Sequence, residues 1–136
     1  MSAFDDIPLM SMLKGQMGYL NQRQKVIAQN VANADTPGYT PQDLKSFDKV
    51  LAAQRPAGAG VLARTDPMHL EPARLKGAAA SPISAPDSET RMDGNSVVLE
   101  EEMMKMAESR SDYDTAATLY EQAMSMIRTA VKKPGG

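Results

Sequence analysis

Apolar residues near the start of the chain follow a coiled-coil spacing: Met10, Leu13, Met17, Leu20, Gln24, Ile27, Val31 and Ala34 alternate in steps of three and four, and only Gln24 is polar. A period of 3.5 keeps such residues on one narrow stripe, so the pattern predicts a helix over about residues 8–34 that packs lengthwise on another helix. Pro8 is tolerable in its first turn, and Asp5 and Asp6 lie near its positive end. The alternation returns towards the other terminus in Leu99, Met103, Met106, Arg110, Tyr113, Ala117, Tyr120, Met124, Ile127 and Val131, broken only by Arg110. This predicts a second helix over about 97–132, with Glu100, Glu101 and Glu102 at its start and Arg128, Lys132 and Lys133 at its end, the polarity a helix dipole favours. Pro134-Gly135-Gly136 ends it. Beside that seam Ser109, Ala116, Ala123 and Ala130 recur every seven residues. Small side chains there permit close helix contact, although helix propensity alone also favours alanine. Met104 and Met126 fall on the far side and are left exposed in a simple two-helix hairpin, which implies a further neighbour.

Between the helices the periodicity is lost. Residues 36–96 hold seven of the nine prolines, with many Gly, Ala and Ser residues. Phe47, Val50 and Leu51 suit a short amphipathic turn after Pro41, Val61-Leu62-Ala63 suits a short strand, and Ala78 to Asp87 reads as linker. The run Asn33-Ala34-Asp35-Thr36-Pro37-Gly38-Tyr39 stops the first helix abruptly: proline at 37 disfavours a helical Thr36, and Pro37-Gly38 suits the centre of a type II turn. Asn30 and Asn33 lie three apart on one helical face, where their amides can bond neighbouring carbonyls or a partner helix. Arg91-Met92-Asp93-Gly94-Asn95 is a second turn, and Asn95 or Ser96 is available to cap the helix that follows. The expected fold is mainly α: two long terminal amphipathic helices forming a coiled-coil-like pair, with an irregular Pro/Gly-rich middle region holding short strands. One structural domain is expected, divided into 1–35, 36–96 and 97–133.

Composition narrows the function. With 4% aromatic residues and no tryptophan among 136 residues, a large compact core is not expected. Eleven methionines exceed an ordinary share, and flexible thioethers suit surfaces that meet several non-identical neighbours as well as they fill gaps in a core. A net charge of −2, with no basic cluster larger than Lys132-Lys133, gives no footprint for nucleic acid or for an anionic membrane. No cleavable secretion signal and no apolar run long enough to span a bilayer is found, so direct membrane insertion is not expected. The absence of cysteine rules out disulfides and thiolate chemistry without assigning a compartment.

Catalytic groups are scarce. His69 is the single histidine, and Asp66, His69 and Glu71 form only a weak metal-ligand pattern. Glu100-Glu101-Glu102 reads as a charged helix start rather than an acid/base pair, and no phosphate-binding glycine pattern occurs. The expectation is a protein that is not an enzyme, with no cofactor and no metal.

The Asn-Ala-Asp-Thr-Pro-Gly-Tyr run, preceded by Asn30 and followed by Asp43-Leu44 and Phe47, resembles the signature of bacterial flagellar rod and hook proteins. Asp66-Pro67-Met68-His69-Leu70, Asp93-Gly94-Asn95-Ser96-Val97 and Leu99 to Glu108, with Tyr113 beyond, are most similar to the FlgB type of basal-body rod component. Two departures stand out: Val98 occupies a position where a capping carboxylate is expected, and Lys45-Ser46 lengthens the spacing before Phe47. The resemblance implies an axial structural protein of the proximal rod. Such a protein is exported from the cytoplasm through the flagellar type III apparatus without a cleavable signal, and sits in the periplasmic part of the basal body, where it transmits torque. Its implied partners are copies of itself, other rod proteins, the adaptor joining the rod to the membrane ring, and the export apparatus. The expected assembly contacts are Met10, Leu13, Met17, Leu20, Ile27 and Val31 with Leu99, Met103, Met106, Tyr113, Tyr120, Met124 and Ile127. The family turn is Asn30, Asn33, Asp35, Thr36, Pro37, Gly38 and Tyr39. A soluble helical export chaperone and another rod or hook axial protein are the alternatives.

Overall fold

The computed structural model describes residues 8–54 and 80–132. Asp5 and Asp6, the strand expected at Val61-Leu62-Ala63, the Asp66, His69 and Glu71 group, and the terminal Lys133 to Gly136 lie outside the described residues. The elements, in chain order, are α1 (Pro8–Ala32), β1 (Gln42–Leu44), α2 (Phe47–Gln54), β2 (Pro82–Ser84) and α3 (Leu99–Val131). The two long helices and their chain positions agree with the apolar periodicity, to within two residues at each end.

α1 and α3 run antiparallel and pack along their length. The direction follows from cross-helix pairs: Lys14 Nζ lies 6.0 Å from the Tyr120 ring centroid, Arg23 Nη1 lies 3.7 Å from Glu108 Oε2, and Asn30 Nδ2 lies 2.8 Å from Glu102 Oε2. Numbers rise on α1 as they fall on α3.

The seam read from the apolar pattern holds for α1 but is rotated on α3. On α1, Met10, Leu13, Leu20 and Ile27 are buried, while Met17, Gln24 and Val31 are half-buried. On α3 the buried line is Glu102, Ser109, Ala116 and Ala123. Met106, Tyr113, Ala117, Tyr120, Met124 and Ile127 are half-buried beside it, and Leu99, Met103, Arg110 and Val131 are exposed. Short side chains let the backbones approach closely, so the small line goes to the centre of the contact and the bulky one is turned to its flank. Ala130, the last member of the small series, is exposed. Met104 and Met126 are 72% and 67% exposed, as a two-helix hairpin requires.

A second layer explains two buried residues outside the α1 stripe. Tyr19 and Val26 join Leu20, Leu44 and Ala80 in one cluster, against which Phe47, Val50 and Tyr113 pack. The Tyr19 and Phe47 rings meet at 5.4 Å, tilted by 47°, and the Tyr19 hydroxyl donates to the Lys45 carbonyl at 2.7 Å. β1 and β2 form an antiparallel pair in the register Gln42↔Ser84, Asp43↔Ile83 and Leu44↔Pro82. This corrects the linker reading of residues 78–87. A three-residue edge strand opening on proline carries no alternation to read, and its pairing is fixed by β1 rather than by its own sequence. Arg23 clamps this layer to α1 with two bonds to Asp43, Nε to Oδ1 at 3.1 Å and Nη2 to Oδ2 at 3.3 Å. Burial opposes the Arg23 charge, but the Asp43 carboxylate more than offsets it and raises the guanidinium pKa.

Candidate functional site

α1 ends where its sequence says it must. The Asn33 amide donates to the Gln29 carbonyl from its side chain at 2.8 Å, and the Thr36 hydroxyl donates to Asn33 Oδ1 at 3.1 Å. The Tyr39 N–H then closes on the Thr36 carbonyl at 3.2 Å with Gly38 at φ 71°, which is the type II turn expected of Pro37-Gly38.

The second turn docks on the first through backbone. The Gly38 N–H donates to the Asp93 carbonyl at 2.9 Å and the Ser96 N–H to the Tyr39 carbonyl at 3.0 Å. Gly94, at φ 83°, lies so close that an added Cβ would meet Gly38 Cα at 3.3 Å. Asn95, fully buried, donates from Nδ2 to the carbonyls of Asn33 at 3.0 Å and Thr36 at 2.7 Å, and accepts the Val97 N–H at 2.9 Å. It thereby adds a second donor to two carbonyls that also accept the Thr36 and Tyr39 N–H groups of the helix end and turn. The two motif segments, about sixty residues apart in sequence, thus form one clasp that fixes where α1 stops and α3 begins.

Asn30 occupies the middle of this clasp with no exposed surface and all four of its hydrogen bonds made. Nδ2 donates to the Gln42 carbonyl at 2.7 Å and to Glu102 Oε2 at 2.8 Å, while Oδ1 accepts the Gln42 N–H at 2.9 Å and the Tyr39 hydroxyl at 3.2 Å. Of the two possibilities raised by the Asn30 and Asn33 spacing, Asn33 takes the neighbouring carbonyl and Asn30 takes the partner helix. Behind Glu102 the chain of contacts continues: Lys105 Nζ bridges Glu102 Oε1 at 2.9 Å and Asp87 Oδ1 at 2.7 Å. Asp87 Oδ2 accepts the Val98 N–H at 2.8 Å.

That last contact corrects the expectation of a cap from Asn95 or Ser96. Val98 is the N-cap residue of α3 and supplies no side-chain bond, so the carboxylate comes from Asp87 instead, eleven positions upstream. Burial pushes the Asp87 carboxyl up, but the Lys105 ammonium and the Val98 N–H outweigh it and hold the group below its ordinary value. Burial also pushes Glu102 up, and the bonds from Asn30 and Lys105 offset this only in part, leaving it raised.

Asp87, Glu102 and Lys105 were not legible as a group. One signal did exist: Glu102 stands seven positions before Ser109, which makes it the first member of the buried small-residue series. Arg91 reaches the Ala34 carbonyl at 3.4 Å, and its pairing with the 99% exposed Asp35 side chain at 3.5 Å contributes little. Leu99 and Met103 project from α3 into solvent, 40% and 62% exposed. Among the described residues no group of three potential metal ligands occurs, and no helix is long and apolar enough to cross a membrane. The arrangement offers a stiff hairpin with a backbone clasp at one end and methionines on its outer face.

Comparison with known proteins points the same way. The model of a family described as flagella basal body rod protein matches residues 19–40, the stretch from Tyr19 through the type II turn. A flagellar basal body rod protein FlgB of Agrobacterium fabrum is 35% identical over 130 residues, covering 93% of this chain and 95% of that protein. FlgB proteins of Yersinia enterocolitica and Salmonella typhimurium are 32% and 30% identical, each alignment covering 72% of this chain and 74% of the relative.

Proposed function

The chain belongs to the FlgB family of flagellar basal-body rod proteins, and from that premise we propose that it is a structural subunit of the proximal rod, built into a helical tube that transmits torque across the periplasm. It is not an enzyme, as its structural relatives are not. The observation that carries the reading is the clasp between the two motif turns, because it joins two helices into one stave, on whose outer surface Met103, Met104, Leu119 and Met126 stay exposed. A stave of this kind gains rigidity by bundling with equivalents in contacts that repeat without closing.

Within this reading Met10, Leu13, Leu20 and Ile27 serve assembly indirectly, by closing the hairpin. Leu99, Met103, Met106 and Met124 contribute surface to neighbours. The partners are copies of the chain, other rod proteins, the adaptor to the membrane ring and the export apparatus that delivers it. The export-chaperone alternative draws no support from the relatives.

Fractionation of a flagellated host expressing the tagged chain tests this. The chain is expected in purified hook–basal bodies, and Met103→Asp, placed on a 62% exposed position, is expected to be secreted yet not incorporated. A wild-type chain confined to the soluble cytoplasm contradicts the proposal.

A further inference from the structure

Two carboxyls and one ammonium are shut in behind the clasp. The Asp87 and Glu102 side chains have no exposed surface, and the Lys105 side chain between them is 26% exposed. Lys105 Nζ lies 2.7 Å from Asp87 Oδ1 and 2.9 Å from Glu102 Oε1, and the two carboxyls also bond each other. With both carboxyls ionised the group has one negative charge more than its single cation offsets. One added proton makes it neutral, and burial favours the neutral state.

The hydrogen bonds say where that proton sits. Asp87 Oδ2 accepts the Val98 N–H and Glu102 Oε2 accepts Asn30 Nδ2, both at 2.8 Å. Asn30 cannot turn its amide over, because Oδ1 holds the Gln42 N–H and the Tyr39 hydroxyl while Nδ2 holds the Gln42 carbonyl. A proton on Glu102 Oε2 would face an N–H donor, which leaves Oε1, on the side of Asp87 Oδ1. The groups facing Glu102 are the neutral Asn30 amide from α1, Lys105 from α3 and Asp87 from the loop before α3. Further along the contact Arg23, Asp43 and Glu108 pair among themselves, and Glu101 is bonded to Ser88.

We propose that Asp87 and Glu102 hold one buried proton between Oδ1 and Oε1, and that its release to solvent as pH rises loosens the clasp, so that closure of the hairpin responds to the pH of the compartment. This stands on the clasp geometry and not on the rod reading. Asp87, held below 3.8, stays ionised at mildly acidic pH and above, so Glu102, raised above 4.5, is the group that titrates. Opening returns Glu102 to its ordinary value. The open form therefore gains on the closed one as pH rises from 4.5 to the raised value, and gains no more beyond it. The bonds that yield are those Glu102 makes to Asn30 and Lys105, the first of which ties the start of α3 to α1.

Carboxyl-carbon NMR of the purified full chain with labelled aspartate and glutamate, titrated from about pH 3 to 9, tests this together with amide hydrogen exchange at Gly38, Ser96 and Val98. Glu102 is expected to titrate above 4.5, with a smaller change at Asp87 at the same inflection, the mark of a shared proton. After correction for intrinsic exchange, opening at the three amides is expected to rise about tenfold per pH unit up to that inflection and then level off. Glu102→Gln supplies a permanent N–H donor to Asp87, so its opening should be flat over the same range. Asp87→Asn removes the second negative charge and should move the Glu102 inflection towards acid. A wild type in which Glu102 titrates at or below its ordinary value, or whose opening does not change with pH, overturns the proposal. So does an Asp87→Asn chain in which the Glu102 inflection stays where it was, or a Glu102→Gln chain that follows the wild type. The wild-type titration decides the matter alone if either variant fails to fold.

Discussion

Single residues carry the clasp, and two of them are glycines for different reasons. Gly38 needs its left-handed φ of 71° but an added Cβ there would meet nothing within 4 Å, while at Gly94 a φ of 83° is joined by a Cβ position only 3.3 Å from Gly38 Cα. Gly38→Ala should therefore cost about 1–2 kcal/mol through backbone strain alone. Gly94→Ala should cost more, about 2–4 kcal/mol, because the strain is joined by a tight contact that pushes on the Gly38 backbone. Urea denaturation of the two variants checks the order, and equal losses would mean that the backbones part freely. The turn at 36–39 was legible, since Pro-Gly has few other uses. The docking of Gly94 on Gly38 was not, because no local pattern records which distant turn a glycine faces.

The buried carboxyls make opposite contributions to pH dependence. Folded Glu102 titrates above its ordinary value of 4.5, so the stability it brings is complete below that value and is lost as pH rises through the raised one. Asp87 titrates below its ordinary 3.8, so its contribution is present above that value and is lost as pH falls through the lowered one. Glu102→Gln keeps an acceptor for Asn30 and removes the charge. Urea midpoints between about pH 4 and 7 should therefore decline less for Glu102→Gln than for the wild type, and parallel curves would show that burial does not govern this carboxyl.

At the scale of elements the hairpin is organised by what is small. Apolar counting located both long helices and correctly faced α1, whose seam residues Met10, Leu13, Leu20 and Ile27 are buried. It misfaced α3, because counting favours bulk, whereas Ala116 at 2% exposure and Ala123 at 7% lie at the contact. β2 was hidden for the opposite reason: Pro82–Ser84 has too few residues for any periodicity. The close approach makes a clear prediction. Ala116→Leu should destabilise the chain by about 1–3 kcal/mol through overpacking, whereas Ala130→Leu, on the exposed end of the same series, should stay within about 0.5 kcal/mol. Thermal denaturation of both variants is sufficient. If the two behaved alike, the alanines would be explained by helix propensity alone.

At the scale of the whole molecule, the described residues form a two-helix stave held at one end by motifs from both halves of the sequence. The clasp joins Asn33 and Thr36 to Asn95, and Asn30 to Glu102, so the segments that identify the family are those that close the hairpin within one chain. Membership of the rod family was legible because the Asn30 and Asn33 to Tyr39 run lies in the stretch that the family model matches. The middle region between them was legible in part: the apolar spacing of Phe47, Val50 and Leu51 marked α2, Phe47–Gln54. Whether α1 pairs with α3 of its own chain inside an assembly tests this account most directly, and the absence of native cysteine makes the measurement clean. Spin labels on Asn21→Cys and Asp112→Cys of one chain, diluted in excess unlabelled protein, should give one narrow distance of roughly 20–30 Å, as expected for label arms on helices about 10 Å apart. The same distance is expected for the chain in solution and in assembled rods. A distance that broadens or disappears on dilution would mean that the helices pair between subunits, and the closed hairpin would not be the unit from which the rod is built.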